Sequence, residues 1–252
     1  MAWVTKSSTE EYNQTPEPPK QYTRREKAGN WWHYNRIVVI IVVVVLAILA
    51  GILYDMFGRP EPDYTIGWVG DIDLPEDTAQ ALTDQLTAIC DDRNGDGRVL
   101  VELAQFPYNF RGESTADASY QMAVITRLEG DLGTDDGCYI FLLQDPEGFE
   151  NHTRVLQYLD GTLPAEDAED WQNMVYRWSD CPVLAGLDLG DYTGVTTMDD
   201  VSGSSQDYLA NVYIARRANR QDGANDYYNA CDVLWQTLTE GAVPLSADET
   251  DG

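Results

Sequence analysis

The longest unbroken apolar run is residues 37 to 53, IVVIIVVVVLAILAGIL, 17 uncharged positions with no polar face. This lies at the short end of the roughly 17 to 25 residues that carry a helix across a bilayer. Trp31, Trp32 and Tyr34 precede it, Tyr54, Met56 and Phe57 follow it, and Arg36 marks the boundary. Aromatic residues at both edges are the usual signature of a membrane interface. A buried soluble helix of this composition would need apolar cover on every side. A cleaved signal peptide would have a shorter apolar region and a small-x-small site, whereas the chain continues as Tyr54-Asp55-Met56-Phe57. Leu49-Ala50-Gly51 is followed by Ile52 rather than by a lipid-bearing cysteine. The pattern predicts one transmembrane helix, residues 31–57 with its aromatic flanks.

After a stiff linker, residues 58–63 (GRPEPD), the period changes. Tyr64 to Val69 has strand composition, and Asp73-Leu74-Pro75-Glu76 reads as a capping box opening a helix with Ala79, Leu82, Leu86 and Ile89 on one face. Val99 to Phe106 reads as a strand buried on both sides. A helix opened by Ser114 or Thr115 then aligns Ala118, Met122, Ile125, Leu128 and Leu132, and Cys138 to Leu143 makes a third strand. This βαβαβ order predicts an α/β fold with right-handed crossovers and a mainly parallel, three-layer sheet. The second half is less regular. Val155, Leu156 and Leu159 suggest a helix after Asp145-Pro146, and Trp171, Met174, Val175 and Trp178 stand at i, i+3, i+4 and i+7 of another. Tryptophans at that spacing are read as core rather than as a sugar-stacking platform. Ser202 to Ser205 reads as a turn, Asn211 to Ala215 as a strand, and Tyr227, Cys231, Leu234, Trp235 and Leu238 as the face of a closing helix. The α/β domain spans residues 64–241. Residues 1–30, polar and with Pro16, Pro18 and Pro19, read as a disordered cytoplasmic tail, and residues 242–252 as a disordered acidic one.

Charge orients this arrangement. Six basic residues lie before the apolar run, four of them from Arg24 to Arg36, so the N-terminus is expected in the cytoplasm and the domain outside a cell membrane that the chain crosses once. Residues 54 to 252 hold 10 basic and 39 acidic groups. So acidic a domain is repelled by nucleic acid, which excludes that class of partner.

All four cysteines, Cys90, Cys138, Cys181 and Cys231, follow the apolar run, where disulfides persist if the domain is exported. Their spacing matches no zinc motif. Cys90 at the end of the first helix and Cys138 at the start of the third strand share one edge of a parallel sheet, favouring Cys90–Cys138 and Cys181–Cys231 over the other two pairings. The alternative is four small, buried, reduced thiols.

Two stretches carry candidate chemistry. Asp92-x-Asn94-x-Asp96-Gly97 matches positions 1, 3, 5 and 6 of a calcium loop, and Arg98 offers a backbone carbonyl at position 7. The twelfth position is Leu103, with Glu102 one residue early, and a strand follows rather than a helix, so the loop is no EF-hand. Hard oxygen donors suit a structural calcium, and ordinary turn chemistry accounts for the same residues. At the opposite edge, beyond the carboxyl ends of the strands, Asp71, Asn109, Arg111 and Asp145 supply polarity and Tyr108 and Phe110 stacking surface for a ligand. No Gly-x-Ser-x-Gly elbow, His-Glu-x-x-His or phosphate loop occurs, and His152 alone of the histidines follows the span. The chain is therefore read as a non-enzyme.

The order YTIGWVGD, capped helix, DRNGDGRVLVELAQF, then ASYQMAVITRLEGDLGTDDGCYIFLLQDPEGF resembles the first lobe of a bacterial extracellular solute-binding protein. With its tail, span, linker and DxNGDG loop, the chain is also similar to single-span membrane proteins of Gram-positive anaerobes whose function is unknown. The resemblance covers residues 31 to about 150. It implies a membrane-tethered binding or sensing domain for a small molecule, sugar or peptide. An envelope scaffold that contacts another membrane protein is the alternative, and an extracellular hydrolase the third reading. Two departures stand out: the lipid cysteine of solute-binding proteins is missing, and about 180 residues make one lobe rather than two.

Overall fold

The structure, a computed structural model, describes residues 23–57, 61–112, 117–195, 200–219 and 225–245. The chain divides into two compact units, Met1–Arg59 and Pro60–Gly252. The described part of the first is one helix, α1 (Arg24–Phe57). Thr23 and Glu26 form its capping box: the Glu26 carboxylate accepts from the Thr23 amide at 2.9 Å, and the Thr23 hydroxyl accepts from the Glu26 amide at 3.3 Å. The helix therefore begins inside the stretch expected to be tail, because Thr23-x-x-Glu26 supplies a start that an apolar period does not reveal. Side chains such as Ile37, Val42 and Leu49 are exposed along it. By length and composition α1 could cross a membrane, a test that a signal sequence also passes.

The second unit is α/β. Its strands β1 (Tyr64–Gly70), β2 (Val101–Pro107), β3 (Ile140–Leu143), β4 (Val175–Arg177) and β7 (Tyr213–Arg216) form one sheet in the order β2-β1-β3-β7-β4. A separate antiparallel hairpin joins β5 (Asp191–Val195) to β6 (Asp200–Ser204). Helices α2 (Glu76–Ile89), α3 (Ala118–Leu132), α4 (Pro146–Thr153), α5 (Pro182–Ala185), α6 (Ser205–Leu209) and α7 (Asp226–Leu238) complete it.

Strand alternation builds a core on each face of the sheet. Ile66, Trp68, Ile140, Leu142 and Ile214 point to one core, with Leu82 and Leu86 of α2 and Leu234 and Trp235 of α7. Val69, Phe141, Leu143 and Ala215 point to the other, with Val124, Ile125 and Leu128 of α3 and Phe149 of α4. Because β2 and β3 flank β1 on opposite sides, right-handed crossovers put α2 and α3 on opposite faces.

The sheet is mixed rather than mainly parallel. β1 pairs in parallel with β2 and β3, but β7 runs antiparallel to β3 and to β4. The tryptophan segment corrects a second expectation: it is a 3₁₀ turn (Trp171–Met174), strand β4 and another 3₁₀ turn (Trp178–Asp180), not a helix. The free edge of β7 needed a partner, and Val175 opposite Ala215 provides it. Met174 and Val175 then enter one core and Trp178 the other. Likewise α4 ends at Thr153 with Arg154 left-handed (φ 54°), and Leu156 bridges to Arg217 instead of continuing a helix. Ser202–Ser205, expected as a turn, closes β6 and opens α6.

Smaller corrections concern helix ends and faces. Pro75, not Asp73, is the N-cap of α2, without a side-chain cap, and Gln105 Oε1 accepts from the Leu74 amide at 2.7 Å instead. Ser114 and Thr115 lie outside the described residues, and Asp117 caps α3 through the Ser119 amide at 2.7 Å. Met122 is exposed, Val124 taking the place expected for it. At the C-terminus Ala242 and Leu245 pack against the cores, so the fold reaches into the stretch expected to be tail.

No disulfide forms: Cys90, Cys138, Cys181 and Cys231 are all free thiols. The expected Cys90–Cys138 bridge fails because the two residues serve opposite faces of the sheet. Cys138 lies in the α3-side core, whereas Cys90 packs on the α2-side core with Cys181 and Cys231. Burial pushes the thiols of Cys90, Cys181 and Cys231 up to about 12, and Cys138 is raised as well for the same reason. Such protonated thiols are poor nucleophiles.

Candidate functional site at the carboxyl ends of the strands

The strand order reverses at β1, with β2 on one side and β3 on the other, so a crevice opens beyond their carboxyl ends. A hollow of about 260 Å³ lies there, lined by Asp71, Arg111, Gln144, Asp145, Tyr208, Asn211 and Val212. Four of these residues follow strand ends, and three come from the segment that leads into β7. Asp71 follows β1, Arg111 follows β2, and Gln144 and Asp145 follow β3. Tyr208 belongs to α6, and Asn211 and Val212 lead into β7.

Gln144 is the hub of this floor. Its amide donates to the Val69 carbonyl at 3.0 Å, and its Oε1 accepts from the Asp71 amide at 2.8 Å. Residue 70 has to be glycine for this contact, since a Cβ there would sit 2.5 Å from Gln144 Oε1. Tyr208 also hydrogen-bonds Gln144, and burial of its ring raises the phenol above its ordinary range.

One wall is an ion pair. Arg111 Nε stands 3.4 Å from Asp145 Oδ2, with the arginine side chain 73% exposed and the aspartate 18%. Asp145 also caps α4, its Oδ1 accepting from the Gly148 amide at 3.2 Å. The arginine side chain is therefore largely open to solvent, while the carboxylate is held at the start of α4. The hollow thus presents a cation, two carboxylates, two carboxamides and a phenol. Together these groups can both donate and accept hydrogen bonds.

Of the residues expected here, the structure brings Asp71, Arg111 and Asp145 together. Asn109 is spent on the loop, its Oδ1 accepting from the Arg111 amide at 2.8 Å. Tyr108 turns aside to pack edge-on against Phe110, with ring centroids 4.7 Å apart. Phe110 in turn meets Phe149 at 5.9 Å and His152 at 5.5 Å. His152 Nε2 stands 3.6 Å from Glu129 Oε1, both side chains substantially exposed. Gln144 follows the third strand beside Asp145, at the edge where a ligand was expected, whereas sequence reasoning missed Tyr208 and Asn211. The last two arrive because β7 is antiparallel: its first residue, Tyr213, lies opposite Leu143, the last of β3. The lead-in to β7 therefore falls at the carboxyl edge, where a parallel strand would have placed its exit.

The Asp92–Arg98 loop lies between the end of α2 and the start of β2, at the opposite edge. Asp92 accepts from the Gly95 amide at 2.7 Å and the Gly97 amide at 2.9 Å; Asn94 accepts from Asp96 N at 2.9 Å and Asp96 from Arg98 N at 2.8 Å. Gly95 and Gly97 take positive φ, 73° and 87°, where a side chain would be strained. Among the described residues no group of three or more His, Cys, Asp or Glu side chains is placed to hold a metal. The loop's own set is two carboxylates, an amide and the Arg98 carbonyl.

A residue that pattern reading passed over anchors this loop. Asp63 is fully buried, and its two oxygens accept from the amides of Asn94 (2.9 Å) and Leu100 (2.8 Å). Arg93 Nε donates to its carbonyl at 2.7 Å. Only its place immediately before a strand, after Pro62, hinted at this role.

Comparison with family models, with curated proteins and with solved structures gave no match.

Proposed function

We propose that this protein is a membrane-tethered binding or sensing domain that takes a small polar ligand, a sugar or a short peptide, at the crevice where the strand order reverses. The observation that carries this reading is the convergence of Asp71, Arg111, Gln144, Asp145, Tyr208 and Asn211 on one hollow at the carboxyl edge. Open α/β sheets place ligands there because loops from diverging crossovers leave a gap between them. A lobe of the solute-binding kind, which the sequence resembles, offers its ligand the same edge. Its test is a thermal-shift screen with sugars and short peptides. At a hundredfold excess over Kd a ligand stabilises the fold by about 2.7 kcal/mol. That should raise the melting temperature by about 5 to 10 °C for a domain of this size. The shift should vanish in Arg111→Ala and Asn211→Ala and persist in Met122→Ala, on exposed α3. A hit that ignores both site substitutions places the ligand elsewhere.

The tether is α1, with the basic residues from Arg24 to Arg36 on the cytoplasmic side. In a background lacking the native cysteines, Ser8→Cys should react with a membrane-impermeant maleimide only after cells are lysed. Labelling in intact cells reverses the orientation. The Asp92–Arg98 loop, in the same proposal, holds a structural calcium away from the ligand crevice.

A further inference from the structure

We infer that the outer edge of β2 is a second binding surface, which receives an extended, cationic polypeptide segment as a sixth strand of the sheet. Among the described residues β2 is the last strand on its side of the sheet. The Leu100 carbonyl accepts from the amides of Asp63 and Tyr64, which fixes the phase of the ladder. Even-numbered residues of β2 therefore bond to β1, and the N–H and C=O groups of Val101, Leu103 and Gln105 face outward. An open edge of this kind is a template for another strand.

Two hollows flank the edge, one on each face of the sheet. On the α3 side a hollow of about 600 Å³ lies between β2 and Tyr120, Val124, Arg127 and Asp131. On the α2 side one of about 390 Å³ lies between β2 and Glu76, Ala79 and Thr83. A strand added roughly 4.8 Å beyond β2 would send alternate side chains into these two hollows. The floors are partly apolar: Leu103 and Ala104 are half-buried, and Leu100 and Tyr120 are exposed at the rims.

Charge decides the occupant. Asp73, Glu76, Glu102 and Asp131 line the two hollows against Arg127 alone, and Arg127 already lies over the Phe106 ring at 4.8 Å. A second copy would bring its own four carboxylates to the same edge, within a domain that carries 39 acidic and 10 basic groups from residue 54 onward. A segment alternating apolar residues with Lys or Arg satisfies both the main-chain edge and the carboxylates. Backbone pairing then gives affinity and the pockets give selectivity. This surface is independent of the crevice proposed for the small ligand.

The test uses full-length protein in a non-ionic detergent and, as probe, a capped octapeptide alternating lysine and valine. Its controls are the same peptide N-methylated at every second residue and an octalysine. With the probe, hydrogen exchange at the amides of Leu103 and Gln105 should slow by about tenfold or more, as pairing protects main-chain donors. Neither control should protect them. Glu102→Lys, at an exposed position, should weaken binding about three- to tenfold. Leu103→Pro, which removes one outward donor from an edge strand, should abolish protection at Gln105. Equal binding of the N-methylated peptide or octalysine, protection confined to other segments, or no binding at all overturns the inference. So does concentration-dependent protection of the same amides without peptide, which would assign the edge to a second copy.

Discussion

Trp178→Ala should lower the stability of the α/β unit by about 3 to 5 kcal/mol, the range for emptying a buried aromatic site. For a domain of this size the melting temperature should fall by about 6 to 20 °C, readable by near-UV circular dichroism. Trp178 is 1% exposed, and its surroundings have little freedom to collapse. Its amide donates to the Val212 carbonyl at 2.8 Å, and its indole N–H to Gln206 Oε1 at 2.8 Å. Gln206 Nε2 in turn donates to the carbonyls of Leu184 (3.0 Å) and Leu187 (2.7 Å). One ring thus fills the α2-side core while holding together β4, α6 and the turn after α5. Trp178→Phe should cost less, about 1 to 3 kcal/mol, because the ring volume is mostly kept and the Gln206 oxygen loses its donor. Trp171→Ala should cost less than half as much as Trp178→Ala, since Trp171 is half-buried and meets Tyr213 edge-on at 6.0 Å. Similar losses at the two positions would mean that Trp178 is no more central to the core than Trp171.

The same segment shows where the amino-acid sequence is legible and where it is not. Local signals were sufficient for β1, α2, β2, α3, β3 and α7, because each carries its own period and its own stop. They failed at Trp171–Trp178, where the spacing fits a helix and the structure has a strand. What decided there was non-local: the unpaired edge of β7, a partner some 40 residues away in sequence. The same cause split the candidate site. Asp71, Arg111 and Asp145 were found because they follow strands whose direction the crossovers dictate. Tyr208 and Asn211 were missed because nothing in their neighbourhood announces that β7 enters the sheet against the others. The cysteines repeat the lesson. Cys90 and Cys138 do share an edge of the sheet, but face, which depends on the phase of alternation, separates them.

Asp63→Ala should be the second large loss, about 2 to 5 kcal/mol, although Asp63 belongs to no helix, core cluster or crevice. Removing its carboxylate leaves the amides of Asn94 and Leu100 without their acceptor next to a fully buried position. Each orphaned donor costs about 1 to 3 kcal/mol, with the upper end appropriate when the lost partner is charged. Asp63→Asn should recover only part of this, because one of its two terminal atoms is itself a donor facing a donor. The effect should be local in origin, seen as faster hydrogen exchange from Asp92 to Leu100 before the rest of the unit opens. Loss of less than about 0.5 kcal/mol would show that the loop is held by its own turns, through Asp92, Asn94 and Asp96. Calcium separates the two contributions. Carboxylate oxygens that accept an amide proton keep a lone pair for a cation, so the hydrogen-bonded loop is compatible with a structural ion. If the ion binds, a hundredfold excess over Kd should restore about 2.7 kcal/mol to Asp63→Ala as it adds to the wild type, since none of the three loop donors is touched. Magnesium should do less, because it demands a stricter octahedral shell. Asp96→Ala should abolish the calcium effect. Equal shifts with both ions that survive in Asp96→Ala would reduce the effect to screening of the acidic surface, leaving Asp63 and the main-chain turns as the whole support of the loop.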